Sequence, residues 1–293
     1  MDLKLLEDAL ALIECGSLSR AAERRHVTQP AFSRRIRSLE DWVGAPLLDR
    51  GPNQVELSPE LLAAEPEIRA LLARTRQLRK QFASREGHGL TMVLATQHAL
   101  AADVFPSVFG SFADRRPEIS WRLRTLNRED CVSLFVRGDA DLLLCYEARG
   151  FPPLPFDTSV GRRVWRGDTL IPVVGGSVRH LIDAEGRLTE AVRVLSYPDD
   201  SHFGRLLEQT GLAEAFPRAA SGGREVESAF SVGLLELIYR GAGVGWIPYT
   251  MCRSGLASGE LVSLAQNYGA IPLDVTLFAL EQNRLAMDIV HAI

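Results

Sequence analysis

The sequence predicts an α/β protein in which a small, mainly helical N-terminal part precedes a larger, two-lobed α/β part. Three observations predict this class. Helical periodicity runs through most of the first 85 residues. Short apolar, strand-like runs alternate with helical segments from residue 90 onward. Between the two parts, the stretch "SREGHG", which ends at Gly89, breaks the periodicity, and we place a domain boundary there.

Length and charge narrow the class of protein. A chain of 293 residues, of which 46% are hydrophobic, is long enough for two or three domains with proper cores. Its net charge is −4, yet residues 20–37 hold six arginines against one acid. Residues 69–85 hold five arginines and one lysine without an acid, whereas 19 bases face 24 acids from residue 87 onward. This asymmetry predicts an anionic partner for the N-terminal part.

Membrane, secretion and metal signals are missing from the sequence. No apolar run reaches the roughly 18 residues of a membrane helix, and the N-terminus lacks the basic start of a signal peptide. The four cysteines form neither a CxxC pair nor a disulfide framework, and no cluster of His, Cys, Asp and Glu has metal-ligand spacing. We therefore expect a cytoplasmic protein without a membrane partner, a metal or a cofactor.

The first three helices are marked by apolar spacing and by capping residues. The first helix carries apolar side chains at helical intervals: Leu3, Leu6, Ala9, Leu10 and Ile13. Gly16 ends this helix, and Ser17 caps a second, short one. Thr28 caps a third helix, and Pro30 lies in its first turn, where a missing N–H costs little.

The third helix has two chemically different faces when each residue is turned by about 100°. One narrow sector is apolar: Phe32, Ile36, Leu39 and Val43. The far side is small, polar or basic: Pro30, Ser33, Arg34 and Arg37. Arg35 lies at the edge of the apolar sector. After a short helix and a tight turn, this pattern favours a helix-turn-helix that presents guanidiniums to double-stranded DNA. The alternative is a surface helix with solvated arginines.

A predicted hairpin follows in "APLLDRGPNQVELS". Leu47 and Leu48 lead to Arg50, a Gly-Pro-Asn turn reverses the chain, and Val55 and Leu57 alternate with polar residues. This pattern predicts a wing that completes a winged helix-turn-helix over residues 1–58, with Arg50 placed to enter a minor groove. A contact between Arg50 and a phosphate or water is an equal alternative.

Residues 59–88 predict a linker helix that pairs two subunits. Mostly apolar residues recur at alternating spacings of three and four, which is the heptad pattern of a coiled-coil seam: Leu61, Ala64, Ile68, Leu71, Thr75, Leu78 and Phe82. No nearby sequence covers this seam, so we expect contacts with a second copy in a homodimer at Leu61, Ile68, Leu71, Leu78 and Phe82. Such a dimer places two third helices about one DNA turn apart. Pro66 interrupts the pattern, so we expect a kink or a helix that begins near Glu65.

The stretch "GSLSRAAERRHVTQPAFSRRIRSLEDWVGAPLLDR" resembles the winged helix-turn-helix of LysR-type transcriptional regulators. It contains the small-residue pair of that family, its Q-P-[AS]-[FL]-S-R-x-I-x-x-L-E pattern and a leucine-rich approach to the wing arginine. The resemblance implies major-groove contacts by Gln29, Pro30, Ser33 and Arg34. It implies backbone, phosphate or minor-groove contacts by Ser17, Arg35, Arg37 and Arg50. As a departure, "LSPELL" lacks the glycine that usually follows the wing.

Residues 89–293 alternate strands and helices. The strand-like runs are "LTMVLAT", "ISWRLRTL", "ADLLLCY", "DTLIPVVG", "VRVLSYP", "GVGWIP" and "DVTLFAL". Helical segments between them predict parallel strands with crossover helices. The last strand returns to the first set, so we assign lobe I to residues 89–160 with 266–293 and lobe II to residues 161–265. This layout resembles the periplasmic-binding-protein-like effector domain of the same family.

Polar residues that end or follow these strands predict a ligand site. Ligands of such sheets bind beyond the carboxyl ends of the strands, near helix N-termini that favour anions. The candidate effector residues are Thr96, Gln97, His98, Tyr146, Ser196, Tyr197 and His202. We expect Thr96, Gln97 and His202 to hold a small anionic effector, and no arginine or lysine to fall into the cleft. For each residue, the alternative is a helix cap or a loop group with an internal partner.

Redox sensing is an alternative within the same family. A disulfide switch between Cys131 and Cys145 would need an exposed thiol of low pKa. The stretches "FGRLLEQTG" and "GVGWIP…SGELVSL" also resemble a hypochlorite-responsive branch, proposed to respond through methionine oxidation. This chain has four methionines, Met1 included, and Phe203 precedes G-R-L where that branch carries a methionine.

The sequence thus predicts a LysR-type transcriptional regulator and not an enzyme. It contains no GxSxG elbow, no P-loop and no GxGxxG that follows a strand and opens a helix. The expected partners are operator DNA, an anionic effector, RNA polymerase and further copies of the chain in a homodimer or homotetramer. The alternative of a different class is a cytoplasmic small-molecule-binding protein or an enzyme with a basic N-terminal module.

Overall fold

A computed structural model describes residues 2–50, 55–85, 90–113, 116–216 and 226–292. The chain forms two compact units, one of residues 1–88 with 136–139 and the other of residues 89–135 with 140–293. We call them the N-terminal domain and the C-terminal domain. No helix within the described ranges combines the length and the apolar character that a membrane span requires.

The described part of the N-terminal domain contains four helices and a hairpin. The helices are α1 (Leu3–Cys15), α2 (Leu18–Arg24), α3 (Gln29–Val43) and α4 (Pro59–Arg85). The strands are β1 (Leu48–Arg50) and β2 (Val55–Leu57). They pair antiparallel, with Leu48 opposite Leu57, and the turn between them lies outside the described residues. The predicted helix-turn-helix followed by a hairpin is confirmed.

Local signals explain where the first helices begin and end. Asp2 caps α1 by accepting a hydrogen bond from the Lys4 N–H (3.0 Å). Gly16 follows α1 with a φ of 59°, a left-handed conformation that costs glycine little. His26, in the turn between α2 and α3, has a φ of 53°, which a residue with a side chain seldom adopts.

Helix α4 covers most of the predicted linker helix at residues 59–88. Ser58 accepts a hydrogen bond from the Leu61 N–H (3.2 Å), so the helix begins at Pro59. Pro66 lies inside the helix, and the expectation that the helix begins near Glu65 is wrong. Packing of α4 against α1 offsets the hydrogen bond that Pro66 cannot donate.

Two buried clusters hold α3 in place. Phe32 and Ile36 are 0% and 1% exposed and pack with side chains of α1, α2 and β1. Leu39 packs in the second cluster, with α1 and α4. Val43, the last residue of the predicted apolar sector, is 49% exposed and therefore not part of the core. Each large buried side chain contributes about 1.5–3 kcal/mol, and together these three fix the rotation of α3.

The C-terminal domain is a mixed α/β structure. Its described strands are β3 (Leu90–Gln97), β4 (Ile119–Leu126), β5 (Leu142–Ala148), β6 (Val160–Gly175), β7 (Val194–Ser196), β8 (Val226–Glu227), β9 (Val244–Pro248), β10 (Leu261–Ser263) and β11 (Ile271–Leu280). Its described helices are α5 (His98–Ala113), α6 (Arg128–Val136), α7 (His202–Gln209), α8 (Ser231–Tyr239), α9 (Tyr249–Ser258), α10 (Ala265–Tyr268) and α11 (Arg284–His291). Every predicted strand has a counterpart, whereas β8, β10, α9, α10 and α11 were not predicted.

One sheet runs through the C-terminal domain in the order β4-β3-β5-β11-β6-β9-β7-β8, and β10 pairs with β6. Strand β3 pairs parallel with β4 and β5, and β7 pairs parallel with β8 and β9. The long strands β6 and β11 run antiparallel to each other and join these two sets. The sheet is therefore mixed, because the predicted parallel strands within each set are connected by an antiparallel pair.

A buried carboxylate ties β6 to its neighbours. Asp168 accepts hydrogen bonds from the Tyr146 hydroxyl (2.8 Å), from the Thr169 N–H (2.8 Å) and from the Thr250 N–H (3.1 Å). The Thr250 hydroxyl donates to the same carboxylate. Burial raises the pKa of Tyr146, and the charge of Asp168 raises it further, so the phenol remains a donor. This network links β5, β6 and the first turn of α9.

We expect Asp168→Ala to lower the free energy of unfolding of the C-terminal domain by at least about 3 kcal/mol, because several donors lose their buried acceptor. Asp274→Ala on the adjacent strand β11 is the matched control. Its partner Arg149 is exposed, so we expect a much smaller loss than for Asp168→Ala. Urea denaturation of both variants measures the difference, and equal losses would contradict the network.

Candidate functional site

Helix α3 presents a polar face to solvent, opposite the buried residues of its apolar sector. Arg34 and Arg37 are exposed, as are Gln29 and Pro30 at the start of the helix. Ser33 is half-buried, and the side-chain amide of Gln29 donates a hydrogen bond to its hydroxyl (3.3 Å). Neither arginine forms an ion pair with any described residue. This face can therefore offer forked and amide donors to the edges of bases or to phosphates.

Arg35, the remaining arginine of α3, forms an ion pair within the N-terminal domain. Arg35 Nη1 lies 3.4 Å from Asp8 Oδ2, and Arg25 Nε lies 2.7 Å from Asp8 Oδ1. Burial by itself lowers the pKa of Arg25, but hydrogen bonds to Asp8 and Glu7 raise it above its usual value. Arg35 was predicted to contact a phosphate. Its position at the edge of the apolar sector instead brings it against α1.

Two predicted contacts to the DNA backbone or minor groove lie outside α3. Ser17 occupies the N-cap position of α2 and is half-buried, and its hydroxyl makes no capping hydrogen bond. Arg50 is the last residue of β1, but its side chain lies outside the described residues. The hydroxyl of Ser17 is thus available to a phosphate.

The predicted seam of α4 is divided between the domain core and solvent. Leu61 is 2% exposed and packs with side chains of α1, and the partly buried Ile68 packs against the same cluster. Leu71 and Leu78 are 48% and 51% exposed. The side chain of Phe82 lies outside the described ones. Leu61 has almost no surface left for a second subunit, so the predicted contact there is wrong, whereas the contact predicted for the partly buried Ile68 stays a prediction.

The C-terminal domain contains a cavity of about 350 Å³ beyond the ends of its parallel strands. The first residues of four helices line this cavity: His98 of α5, Arg128 of α6, His202 of α7 and Ser231 of α8. The first turn of a helix carries N–H groups without intrahelical partners and a positive partial charge. Four such turns around one space favour a ligand with a negative charge.

Two side chains add to this preference. Arg128 Nε donates to the Tyr146 carbonyl (3.1 Å), which fixes a guanidinium at the cavity wall. The buried Nε2 of His202 has no hydrogen-bond partner among the described residues. Burial lowers the pKa of His202 well below its usual value, and the charges of Arg128 and Arg205 lower it further. His202 is therefore neutral at pH 7 and offers an unused ring nitrogen to a ligand.

The structure brings four of the predicted effector residues to the cavity: Gln97, His98, Tyr197 and His202. Burial lowers the pKa of His98, so this ring is also mainly neutral at pH 7. The Tyr197 hydroxyl donates to Ser231 Oγ (2.8 Å), which leaves the serine proton for a ligand. The Gln97 side-chain oxygen accepts a hydrogen bond from the Tyr146 N–H (2.7 Å) and so is partly engaged.

The other three predicted effector residues do not line the cavity. Thr96 is fully buried, and no described residue hydrogen-bonds its hydroxyl. The hydroxyl of Tyr146 is bound to Asp168, and that of Ser196 donates to a backbone carbonyl (3.5 Å). Strands β3 and β5 extend beyond Thr96 and Tyr146, and Ser196 is paired with β8, so all three side chains belong to the sheet. The structure therefore does not bring these three side chains to the cavity.

Several polar residues of the cavity were not predicted from the sequence: Asn127, Arg128, Ser201 and Ser231. The expectation that no arginine falls into the cleft is wrong, because Arg128 lies there. Asn127 and Arg128 directly follow the carboxyl end of β4. Ligands of such sheets bind beyond the carboxyl ends of the strands. Applied to β4 as it was to β3, this rule identifies Asn127 and Arg128.

Acidic side chains also line the cavity: Glu129, Asp130 and Asp200, all of them exposed. Glu129 forms an ion pair with Arg205, which joins α6 to α7. The rings of His98 and Phe230 lie 4.6 Å apart and join the start of α5 to the residue before α8. The cavity is thus bridged by two contacts, and its exposed side carries negative charge.

The three buried cysteines, Cys131, Cys145 and Cys252, do not have the properties of redox sensors. Burial raises the pKa of Cys131, of Cys145 and of Cys252 to about 12 in each case, so all three stay protonated at pH 7. Cys15 is half-buried and unpaired. Among the described residues, no group of three or more His, Cys, Asp or Glu could hold a metal ion. A disulfide switch between Cys131 and Cys145 is therefore disfavoured.

Comparison with known proteins gives a family match for each domain. Residues 3–60 match the model described as "Bacterial regulatory helix-turn-helix protein, lysR family", and residues 85–286 match "LysR substrate binding domain". The HTH-type transcriptional regulator YjiE of Escherichia coli (strain K12) is 27% identical over 277 residues. This match covers 93% of the chain and 87% of that protein.

Solved structures show the same fold. VV2_1132, a LysR family transcriptional regulator, is 27% identical with a TM-score of 0.57, over 99% of this chain and 97% of that one. The full-length HypT of Salmonella typhimurium, a hypochlorite-specific LysR-type transcriptional regulator, is 22% identical with a TM-score of 0.56, over 99% and 97%. At this lower identity the likeness to HypT shows the fold alone.

Burial and the raised pKa values predict which thiols are unreactive. At pH 8 we expect iodoacetamide to label Cys15 quickly and the other three cysteines hardly at all, because only about one in ten thousand of the buried thiols is ionised. Peptide mass spectrometry measures labelling at each site, and the protein unfolded in urea should label at all four. Rapid labelling of Cys131 or Cys145 in the folded protein would restore the disulfide switch.

Proposed function

The chain belongs to the LysR family of DNA-binding transcriptional regulators, and we propose that α3 reads operator DNA while a small effector with an anionic group occupies the cavity. One observation supports the proposal most strongly. Arg34 and Arg37 are exposed on a helix whose opposite face is fixed in the core by Phe32 and Ile36. Because the rotation of α3 is fixed in this way, both guanidiniums stay on its outward face, where they can reach a duplex. Because the operator lies on chromosomal DNA, we assign the protein to the cytoplasm.

The residues of α3 take different roles in this proposal. Arg34 lies at the centre of the exposed face, and its guanidinium can pair with both O6 and N7 of a guanine in the major groove. Gln29 and Ser33, joined by their hydrogen bond, contact neighbouring base edges. Arg37, about one turn after Arg34, contacts a phosphate. Pro30 has no long side chain and lets the start of the helix approach the duplex.

Exposed leucines on α4 support a homodimer. Leu71 and Leu78 are half-exposed and lie seven residues apart, which is the spacing of a coiled-coil seam. We propose that they contact a second copy, together with Phe82. The two α3 helices then meet successive turns of a roughly palindromic operator, with Ser17 and Arg50 on the backbone or minor groove. A homotetramer and a contact with RNA polymerase belong to the same proposal and follow from family membership.

The effector proposal depends on how charge is distributed around the cavity. Arg128, the unused nitrogen of His202 and four helix N-termini favour one anionic group, such as a carboxylate, at the less exposed side. Asp130 and Asp200 form no ion pair with any described residue, and they repel a second negative charge at the exposed side. A small molecule with one anionic end and one donor or cationic end fits both sides, whereas a dicarboxylate does not.

We propose binding without catalysis at this cavity. Ser201 Oγ donates to the Pro198 carbonyl (2.7 Å) and accepts from the Gly204 N–H (3.1 Å), so it caps α7. Ser231 Oγ is paired with Tyr197, and neither serine is hydrogen-bonded to a histidine base in the described residues. The polar groups are therefore arranged to hold a ligand and not to activate a nucleophile.

We expect Arg34→Ala to weaken binding to the DNA upstream of this protein's own gene by at least about tenfold, and to reduce the preference over a scrambled duplex. One bidentate arginine–guanine pair contributes about 1–3 kcal/mol of discrimination. The control is Arg240→Ala, an exposed residue at the end of α8, which should change neither quantity. Fluorescence anisotropy at fixed salt measures both duplexes. Equal weakening on both duplexes would contradict base reading by Arg34.

We expect small monocarboxylates and amino acids that fit the cavity to raise the unfolding temperature of the wild-type protein, and Arg128→Met to abolish this effect. A ligand at ten times its Kd stabilises the folded state by about 1.4 kcal/mol. Arg187→Met, an exposed position outside the cavity, is the control and should respond like the wild type. If Arg128→Met keeps the full response to every stabilising compound, these compounds bind elsewhere and the proposed site is wrong.

A further inference from the structure

Asp8 is a buried charge in a helix that otherwise packs with apolar residues. Its side chain is fully buried, and its neighbours Ala9 and Leu10 belong to the domain core. Asp8 Oδ1 lies 2.7 Å from Arg25 Nε, and Asp8 Oδ2 lies 3.4 Å from Arg35 Nη1. Arg25 follows the last residue of α2, and Arg35 belongs to α3. One carboxylate of α1 therefore links all three helices of the helix-turn-helix.

A second carboxylate, that of Glu7, joins this cluster. Glu7 Oε2 lies 2.8 Å from Arg25 Nη2, so that two carboxylates face two guanidiniums. A buried carboxylate is costly unless charged partners and hydrogen bonds compensate it. If Arg35 left the cluster to reach a DNA phosphate, part of the charge on Asp8 would lose its compensation. This cost opposes the departure of Arg35.

The arginines on either side of Arg35 in α3 are different. Arg34 and Arg37 are exposed, and neither forms an ion pair with a described residue. They differ from Arg35 in position on the helix, since Arg35 borders the buried residues of the apolar sector and they lie opposite these residues. The three arginines of α3 are thus two that can reach a duplex and one that is retained by the protein.

We propose that Asp8 is a positioning residue for DNA recognition, which keeps Arg25 and Arg35 on the protein and leaves Arg34 and Arg37 as the cations of α3 that contact DNA. The proposal depends on DNA reading by α3, as proposed above. Cations that contact phosphates attract every duplex equally and add no sequence information. By withholding Arg35, Asp8 lowers non-specific affinity and raises the preference for the operator.

The test is the salt dependence of binding by the full-length protein to its upstream DNA and to a scrambled duplex. Each phosphate contact changes the slope of log K against log salt by about 0.9. We expect Arg37→Gln to reduce the slope by about 0.9 per subunit and Arg35→Gln to leave it unchanged. In Asp8→Asn the released Arg35 gains a phosphate, so the slope steepens, scrambled DNA binds several-fold tighter and the operator preference falls. The double variant Asp8→Asn with Arg35→Gln should return to the wild-type slope.

Controls separate this outcome from a loss of fold. Circular dichroism and stoichiometric titration give the folded and active fractions, which change the amount of binding but not its salt slope. If Asp8→Asn does not fold, the comparison of Arg35→Gln with Arg37→Gln still decides. Equal reductions of the slope in these two variants, or a folded Asp8→Asn with the wild-type slope, would overturn the proposal. A wild-type protein that binds neither duplex contradicts the proposed function instead.

Discussion

The burial of one face of α3 is the constraint on which the N-terminal domain depends. Once Phe32 and Ile36 are packed, the helix cannot rotate without losing about 1.5–3 kcal/mol for each side chain. This rotation directs Arg34 away from the core and places Arg35 beside α1, where Asp8 holds it. The number of arginines therefore overstates the charge that a duplex meets, because packing and pairing together decide which guanidiniums remain available.

A similar geometric constraint forms the ligand site of the C-terminal domain. Parallel strands end at the same edge of a sheet, so the helices that follow them begin around one space. The wall of the cavity is also connected to the sheet. Gln97 and Arg128 bind the two backbone groups of Tyr146, and the hydroxyl of Tyr146 binds Asp168 on β6, the strand shared by both halves of the domain. A ligand that contacts Gln97 or Arg128 is therefore separated from Asp168, in the middle of the sheet, by Tyr146 alone.

The sequence predicted what depends on local pattern. The three helices, the hairpin and the succession of strands along the chain follow from spacing and caps such as Gly16. Features that depend on distant partners were not predicted. In the sequence, Asp8 cannot be distinguished from a surface polar residue, because its partner Arg35 lies 27 positions away and contacts it only in the folded domain. Leu61 resembles a seam residue until α1 covers it, and Arg128 was overlooked because the end of β4 was not followed into α6.

In the proposed complex, α3 lies in the major groove of a two-fold operator. Dimethyl sulfate protection of guanine N7 on the upstream DNA tests this placement most directly, because N7 lies in the major groove. We expect protected guanines in two segments about one helical turn apart on the same side of the duplex. Unprotected guanines throughout a site that the protein saturates, or protection confined to adenine N3 in the minor groove, would contradict this placement.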